Sequence, residues 1–365
     1  MRLMPHAHRD VMVRTGLRRY PALLAAMACA LALFATPGTA RAADAAQGVK
    51  QHGGLDATQG AGRADRPAPI RIRDNRGTIA FASVPRRVVV LDWDLLEQVL
   101  ELGITPVGAP ELAGYREWVV QPPLPAMKDN AGGTSDKDNA DTVTDVGTRA
   151  EPNLERIAGL HPDVILTASP QKDLLDALAR IAPVVHLPNF AATDRSGEVA
   201  IAHFTTLAAL FGRQELARQK LEDMHRRFAE LKAQLAAALG PSARVLPLRF
   251  ANTTSVFAYC ENSTARYVLD QLGLTDALPQ QPRAWGITRM PFKDLHALAD
   301  AWVLYVLPFP EEAKMRASVL WQSMPFVRQG RIRSVRPVWN YGGAMSMRYL
   351  ADAFAESLLR VEAAQ

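Results

Sequence analysis

The chain has 365 residues, of which 48% are hydrophobic, and this length is sufficient for two domains with buried cores. It carries 42 Lys and Arg residues against 37 Asp and Glu residues, a formal net charge of +5. The whole surplus lies in residues 1–42, so the rest of the chain has equal numbers of basic and acidic residues. A neutral chain has no general attraction for phosphate backbones, which excludes nucleic acid as the expected partner.

The first 42 residues have the layout of a secretory signal peptide. Arg14, Arg18 and Arg19 precede an apolar run at residues 22–35, and the small-residue sequence Ala-Arg-Ala follows at 40–42. The run is too short to span a bilayer, and no later segment approaches that length. We therefore expect an exported, periplasmic protein that is not embedded in the membrane. The paired arginines leave both the general and the twin-arginine export routes open.

Together with the leader, the chain divides into five predicted parts. Residues 43–69 lack periodicity and predict a disordered lead-in. Residues 70–212 predict an N-terminal α/β lobe, which begins with a β-hairpin and continues with the strand "RVVVLDW" and the helix "DLLEQVLELG". Within this lobe, the polar residues 128–141 predict a surface insertion.

A long segment without Gly or Pro separates this lobe from a second one. Residues 213–240 predict a bridging helix of about 40 Å at 1.5 Å per residue. After it, "SVFAYCENSTARYVLDQLGLT" resembles "VVVLDWDLLEQVLELGITPVG", and "PFKDLHALADAWVLYVL" resembles "EPNLERIAGLHPDVIL". Residues 241–365 therefore predict a C-terminal α/β lobe. The predicted fold class is α/β, with two similar lobes joined by one long rigid α-helix and a ligand cleft between the lobes.

The motifs of common catalytic sites are missing from the sequence. There is no GxSxG, no GxxxxGK[ST] and no GxGxxG, and the histidines after the leader are scattered without metal-ligand spacing. Cys260 is the only cysteine after the leader, so no intramolecular disulfide is expected. We expect a binding protein rather than an enzyme, with no catalytic residues, no cofactor and no metal held by the protein itself.

Aromatic residues in irregular segments are the main candidates for ligand contacts. Tyr115 and Trp118 stand in "GYREWVVQPPLP", where three prolines oppose a helix. Trp285 stands in "PRAWGITRMP", and Trp339 and Tyr341 stand in "PVWNYGGAMS". Each segment adjoins a predicted βα unit, where α/β proteins form their ligand crevices.

Five segments, in this order, resemble the periplasmic ferric-hydroxamate siderophore-binding proteins (FhuD-like), the soluble component of an iron-uptake ABC importer. They are "GYREWVVQPPLP", "DVGTRAEPNLE", "LARIAP", "WQSMPFVRQGR" and "PVWNYGGAMS", and the similarity covers about residues 86–359. The resemblance implies two α/β lobes joined by one long helix, with a shallow cleft and little hinge motion. It also implies an iron(III)–siderophore as ligand, with the iron held by the siderophore.

The resemblance assigns roles to individual residues. Arg149, on the "DVGTRAEPNLE" turn, occupies the place of the arginine that hydrogen-bonds the hydroxamate oxygens, as a charged guanidinium is suited to do. The aromatic lining that packs on the hydrocarbon arms corresponds to Trp118, Trp285, Trp339 and Tyr341. This chain departs from the family at three further positions, one of which is Leu278, where the family has a second pocket tryptophan. Gln171 is nearest the position of a pocket tyrosine, and Arg283 is an additional cation beside Trp285.

The same resemblance implies a monomer that docks on an inner-membrane ABC transporter permease. One acidic residue on each lobe meets transporter arginines in the family, and Asp176 and Asp294 are assigned to these positions, on equivalent helices of the two lobes. Cobalamin and haem stay open as alternative ligands on the same scaffold. Haem would need an axial ligand in the cleft, for which Tyr115 or Tyr341 is available.

Overall fold

The computed structural model describes residues 68–125 and 142–360, which belong to one compact unit. The predicted signal peptide at 1–42, all but the last two residues of the predicted lead-in at 43–69, and the predicted insertion at 128–141 lie outside the described residues.

The described chain begins with the predicted β-hairpin. Strands β1 (Ile70–Asp74) and β2 (Gly77–Phe81) pair in antiparallel register. The Asp74 carboxylate accepts hydrogen bonds from the backbone N–H groups of Arg76 and Gly77, and this local bonding fixes the turn. It also accepts one from the backbone of His186, at 3.0 Å, which attaches the hairpin to the neighbouring sheet.

The N-terminal lobe contains a five-stranded parallel sheet in the order β5-β4-β3-β6-β7. Its strands are β3 (Val88–Val90), β4 (Gly108–Ala109), β5 (Thr144–Asp145), β6 (Val164–Thr167) and β7 (Val184–His186). Its helices are α1 (Trp93–Glu101), α2 (Leu112–Trp118), α3 (Leu154–Gly159), α4 (Leu175–Ala179) and α5 (Ser196–Leu210). β3 and β6 are fully buried, as expected for central strands of a parallel sheet.

Helix α2 corrects one expectation from the sequence. Tyr115 and Trp118 lie on this helix and not in an irregular segment. The helix ends at Trp118, before Gln121 and Pro122. Because the helix ends four residues before Pro122, no proline lies within it or interrupts its hydrogen bonds.

The predicted bridging helix is confirmed as α6 (Gln214–Leu239), a helix of 26 residues. At 1.5 Å per residue it is about 39 Å long. The residues that it buries recur at helical spacing, and they are Ala217, Met224, Phe228, Leu231 and Leu235. Among the described residues, none of the helices is both long and apolar enough to cross a membrane.

The C-terminal lobe contains a six-stranded mixed sheet. The strands β11-β9-β8-β12-β13 lie in this order, and β10 also pairs with β8. The strands are β8 (Arg244–Asn252), β9 (Ser255–Tyr259), β10 (Thr275–Asp276), β11 (Ile287–Pro291), β12 (Trp302–Val306) and β13 (Ile332–Val335). Its helices are α7 (Thr264–Gln271), α8 (Glu312–Arg316), α9 (Val319–Ser323), α10 (Pro325–Arg328) and α11 (Ala344–Leu359).

The two lobes are similar, but the strands that are equivalent in the structure are not the ones that the sequence comparison matched. In the N-terminal lobe β3 is the central strand, parallel to both β4 and β6. In the C-terminal lobe β8 has this role, parallel to β10 and β12, whereas β9 is antiparallel to β8. The segment "SVFAYC" is therefore an added hairpin strand and not the counterpart of "VVVLDW". The sequence match misassigned it because both segments are apolar and are followed by a helix.

The last helix, α11, connects the C-terminal lobe to the other parts of the molecule. Arg227 of α6 pairs with Asp352 of α11, with Nε and Oδ1 2.7 Å apart. Glu97 of α1 accepts a hydrogen bond from the backbone N–H of Ser346. One apolar core extends through both lobes and α6, so the lobes are held by shared packing in addition to the bridging helix.

Candidate functional site

Arg149 lies on a tight turn that follows strand β5. Gly147 has φ +99°, a conformation that favours glycine, and its N–H donates to the Asp145 carboxylate. The backbone N–H and the Nε of Arg149 both donate to the Glu111 carboxylate, at 3.1 and 3.0 Å. The carbonyl oxygen of Arg149 accepts a hydrogen bond from Nε2 of Gln171 at 2.6 Å. These bonds hold the turn, and neither Nη group of Arg149 is hydrogen-bonded to a residue that the structure describes.

The guanidinium of Arg149 lies over aromatic rings. Its Cζ is 3.8 Å from the ring centre of Trp93 and 5.6 Å from that of Trp339. Trp93 is only 2% exposed, and its indole N–H donates to the carbonyl of Pro110, so the ring is a fixed platform. A cation over a tryptophan face is attracted by the ring quadrupole, which stabilises Arg149 in this orientation.

A continuous row of aromatic side chains extends from this arginine. Trp93 meets Trp339 edge to face with the ring centres 5.1 Å apart, and Trp339 meets Tyr341 at 5.2 Å. Tyr341 meets Phe190 at 6.1 Å, and Phe190 stacks on Trp285 at 5.8 Å. We call these five rings the aromatic row. Three of them, Trp285, Trp339 and Tyr341, were predicted from the sequence, and the structure brings them together.

Trp93 and Phe190 were missed because they resemble ordinary core residues in the sequence. The signal that could have identified them is their position just after β3 and β7, since ligand crevices form at the carboxyl ends of parallel strands. Phe190 and Trp285 also have positive φ angles of 72° and 64°, which non-glycine residues rarely adopt. The backbone N–H of Trp285 donates to the carbonyl of Phe190 at 2.7 Å and so links the two lobes at this end of the row.

Trp118 has a partner that sequence reasoning also missed. Its ring lies 4.7 Å from Cζ of Arg249, which is on β8 of the other lobe. Burial raises the pKa of Tyr341 to about 12, and the positive charge of Arg249 opposes this rise. An arginine in the middle of the mostly apolar strand "RVLPLRFAN" was the available signal.

Two buried carboxyl groups, Asp92 and Asp94, lie at the start of α1, and Asp92 interacts with Arg149. Asp92, the N-cap of α1, accepts a hydrogen bond from the backbone of Asp94. Burial raises the pKa of Asp92, while the positive charge of Arg149 opposes the rise. Burial and the neighbouring negative charge of Asp92 raise the pKa of Asp94 well above its usual range. Arg149 thus has Asp92 and Glu111 as acidic neighbours.

Two predicted contact residues are fully buried and do not line the row. Tyr115 is 0% exposed, and its hydroxyl donates to the carbonyl of Pro122. Gln171 is 0% exposed and donates to the carbonyls of Leu91 and Arg149. Neither side chain is accessible to a ligand in this structure, so the structure does not support these two assignments. Gln171 instead positions the Arg149 turn.

The other predicted positions are exposed. Arg283 precedes Trp285 with an exposed side chain, and its backbone is held by Asn262. Asp176 is in the first turn of α4, and Asp294 is in the 3-10 turn Phe292–Ala297. These two elements are not equivalent, which corrects the expectation from the sequence. α4 follows β6, whereas the turn with Asp294 precedes β12, the counterpart of β6.

Two surface grooves of about 550 Å³ lie away from Arg149 and the aromatic row. One is lined by Thr254, Ser255, Arg289, Met290, Pro291, Lys293 and Leu320. The other is lined by Phe81, Ala82, Ser83, Val84, Pro85, Arg86 and Asp163.

Within residues 68–125 and 142–360, no group of three His, Cys, Asp or Glu side chains is arranged to hold a metal ion. The arginines and the aromatic row offer N–H donors and flat apolar faces, which suits a ligand with oxygen atoms and hydrocarbon.

Known proteins with similar sequences and structures bind iron complexes. The family profile described as "Periplasmic binding protein" matches residues 88–338. The iron(3+)-hydroxamate-binding protein FhuD of Escherichia coli is 32% identical over 273 residues, which are 73% of this chain and 85% of that protein. The Fe(3+)-citrate-binding protein YfmC of Bacillus subtilis is 26% identical over 285 residues, 77% of this chain and 82% of that protein.

A solved structure is more similar still. The crystal structure of FhuD from Vibrio cholerae, bound to Fe³⁺-Desferal, superposes with a TM-score of 0.71 at 59% sequence identity, over 76% of this chain and 98% of that one. The arrangement of two α/β lobes and a long connecting helix is thus shared with a siderophore-binding protein. On the extent of these matches, the chain belongs to the periplasmic binding protein family, and the ferric-hydroxamate-binding proteins are among its relatives.

Proposed function

We propose that this protein captures an iron(III)–hydroxamate siderophore in the periplasm and delivers it to an inner-membrane ABC importer. The observation that carries the proposal is the Arg149 guanidinium held over Trp93, at one end of the aromatic row. The site lies at the carboxyl ends of the parallel strands of the N-terminal lobe, where α/β proteins bind ligands.

The geometry of Arg149 suits a chelate with an oxygen-rich face. Its Nε is occupied by Glu111, so the two Nη groups are the donors that remain for a ligand. A ferric hydroxamate presents several partly negative oxygens around the metal, and charge-assisted hydrogen bonds to them are strong. The partly exposed rings of the aromatic row, Trp285, Trp339 and Tyr341, then offer apolar faces to the hydrocarbon arms of the chelator.

The relatives favour the same ligand class. The E. coli relative is a hydroxamate-binding protein, and the V. cholerae structure contains Fe³⁺-Desferal, a ferric trihydroxamate. The iron is cargo that the siderophore itself coordinates. On this proposal the protein binds and releases its ligand as a monomer and performs no chemistry on it.

The alternative ligands are cobalamin and haem. The haem alternative loses one of its two candidate axial ligands, because Tyr115 is buried with its hydroxyl bonded to Pro122. Tyr341 is the one that remains, and it is only half-buried.

The test is a retention experiment with the purified protein. It is incubated with ferric desferrioxamine B, haem, cobalamin, bare Fe³⁺ or iron-free desferrioxamine, then desalted, and its visible absorbance is measured. We expect only the ferric desferrioxamine B spectrum to be retained in stoichiometric amount. Retention of haem or cobalamin in its place would replace the proposed ligand, and retention of bare Fe³⁺ would overturn the chelate-binding mode.

A further inference from the structure

Arg249 is a second cation, on the opposite lobe from Arg149, and it lies over the ring of Trp118. It lies on β8, whose neighbouring residues Leu248 and Phe250 pack into the core of the C-terminal lobe. Successive side chains of a strand point to opposite faces, so Arg249 is on the other face of the sheet. In the sheet register it pairs with Phe257 on β9, which pairs with Arg289 on β11.

Among the described residues, the surroundings of Arg249 contain aromatic rings and no acidic partner. Its Cζ lies 4.7 Å from the ring centre of Trp118, and its charge opposes the burial-induced rise in the pKa of Tyr259 as well as that of Tyr341. No carboxylate in the described part of the chain lies within ion-pair distance of it. Arg149, in contrast, is paired with Glu111.

This difference has an energetic consequence. Arg249 is half-buried, and a partly desolvated charge without a counter-ion costs free energy that a bound anion would recover. Two rings connect the two arginines, since Arg149 lies over Trp339, Trp339 meets Tyr341, and the charge of Arg249 acts on Tyr341. A ligand that covers this part of the row would therefore extend from one guanidinium towards the other.

The charge of the ligand follows from this arrangement. In a ferric trihydroxamate, three singly negative hydroxamates neutralise Fe³⁺, so the iron shell has no net charge to offer a second arginine. We propose that Arg249, supported by Trp118, binds a carboxylate that the siderophore carries outside its iron shell, and that Arg249 thereby selects negatively charged ferric siderophores. This inference rests on the proposed function, since it concerns the same ligand.

Three ferric complexes with one iron shell test the inference. Desferrioxamine B carries a pendant ammonium group. Acetylation of its terminal amine makes the ferric complex neutral, and succinylation gives it a pendant carboxylate. Affinities are measured by calorimetry for the wild type, Arg249→Gln and Arg249→Lys. The matched control is Arg180→Gln, which changes an exposed arginine at the end of α4.

For the wild type we expect the succinylated complex to bind about tenfold or more tightly than the ammonium form, the scale of a charge-assisted hydrogen bond. Arg249→Gln should reduce this ratio to about threefold or less, Arg249→Lys should restore part of it, and Arg180→Gln should leave it unchanged. Raising the salt to about 500 mM should lower the ratio in the wild type and not in Arg249→Gln. A wild type without the preference, or an Arg249→Gln variant that retains it, overturns the inference.

The neutral acetylated complex separates this inference from the proposed function. Its binding does not depend on a pendant charge, so wild type and variants should bind it with similar affinity. If it binds, and the wild type does not prefer the succinylated complex over the ammonium form, the selection by Arg249 is wrong and the proposed function stands. If none of the three complexes binds, the proposed function itself fails.

Discussion

The carboxylate of Glu97 on α1 accepts a hydrogen bond from the backbone N–H of Ser346, 3.2 Å away, in the first turn of α11. The Ser346 hydroxyl bonds the same carboxylate. An acidic group at a helix N-terminus satisfies N–H groups that lack partners within the helix. The contact joins the N-terminal lobe to the last helix, and Trp339 and Tyr341 lie in the segment just before that helix.

The first prediction concerns the dependence of stability on pH. Burial raises the pKa of Glu97 to about 8, and the negative charge of Glu101 adds to the rise. A folded-state pKa above the unfolded value means that the folded protein holds the proton more tightly. The stabilisation from Glu97 is therefore full below about pH 4.5 and is lost as the pH rises to about 8. At 1.36 kcal/mol per pKa unit, it amounts to at most about 5 kcal/mol.

Glu97→Gln should remove this contribution, since glutamine keeps a neutral group of similar shape. In urea unfolding between pH 5 and 8, the free energy of unfolding of the variant should improve relative to the wild type as the pH rises. Asp92 and Asp94 have raised pKa values too, so the dependence of the free energy of unfolding on pH should become weaker in the variant without vanishing. Glu117→Gln, at an exposed position, is the control. A variant that parallels the wild type over this range would show that Glu97 does not titrate there.

The second prediction concerns the close approach of α11 to α1. A Cβ at Gly343 would overlap the side chain of Gln98, which is fully buried on α1. Gly343→Ala should destabilise the protein by about 1–3 kcal/mol, because neighbouring atoms must move. Gly159→Ala, where a Cβ would meet no atom within 4 Å, should change stability little. Thermal unfolding of both variants measures the difference, and equal melting temperatures would contradict the packing at Gly343.

The third prediction concerns Arg149. Arg149→Ala should weaken the binding of ferric desferrioxamine B by about 1.5–3 kcal/mol, the scale of hydrogen bonds to a charged group. Its ion pair with Glu111 is partly exposed, with about a quarter of each side chain accessible, so the melting temperature of the free protein should change little. Tryptophan quenching measures the affinity, with Arg180→Ala as the control. Equal affinities for Arg149→Ala and the wild type would remove Arg149 from the site.

The fourth prediction concerns delivery to the importer. Asp176 and Asp294 are exposed, so Asp176→Lys with Asp294→Lys should leave siderophore affinity unchanged and abolish siderophore-dependent growth under iron limitation. The fold offers a matched comparison, because exposed Glu155 on α3 precedes β6 as Asp294 precedes β12.

Glu155→Lys with Asp294→Lys should therefore be tested beside the first pair. Loss of growth only in the variant that carries Glu155→Lys would replace Asp176 by Glu155 as the N-terminal docking residue. Normal growth of both double variants would reject docking through these carboxylates, and the ligand assignment would be unaffected.

The sequence by itself was sufficient for the features that depend on local patterns. The absence of Gly and Pro between Arg213 and Leu239, and the apolar spacing there, determine the helix α6. Asp74 and Gly77 determine the hairpin turn through bonds within four residues. Arg149, in contrast, was identified through the resemblance of its segment to the ferric-hydroxamate-binding proteins and not from a local pattern.

Only the tertiary structure decided which side chains meet. Trp93 and Phe190 look like core residues in the chain, and they join the aromatic row because parallel strands bring their carboxyl ends together. Tyr115 and Gln171 look like surface candidates, yet packing buries them, because a helix and a 3-10 turn direct them inward. Arg249 reaches Trp118 only across the two lobes, 131 positions apart in the chain, and such a contact leaves no local pattern in a single sequence.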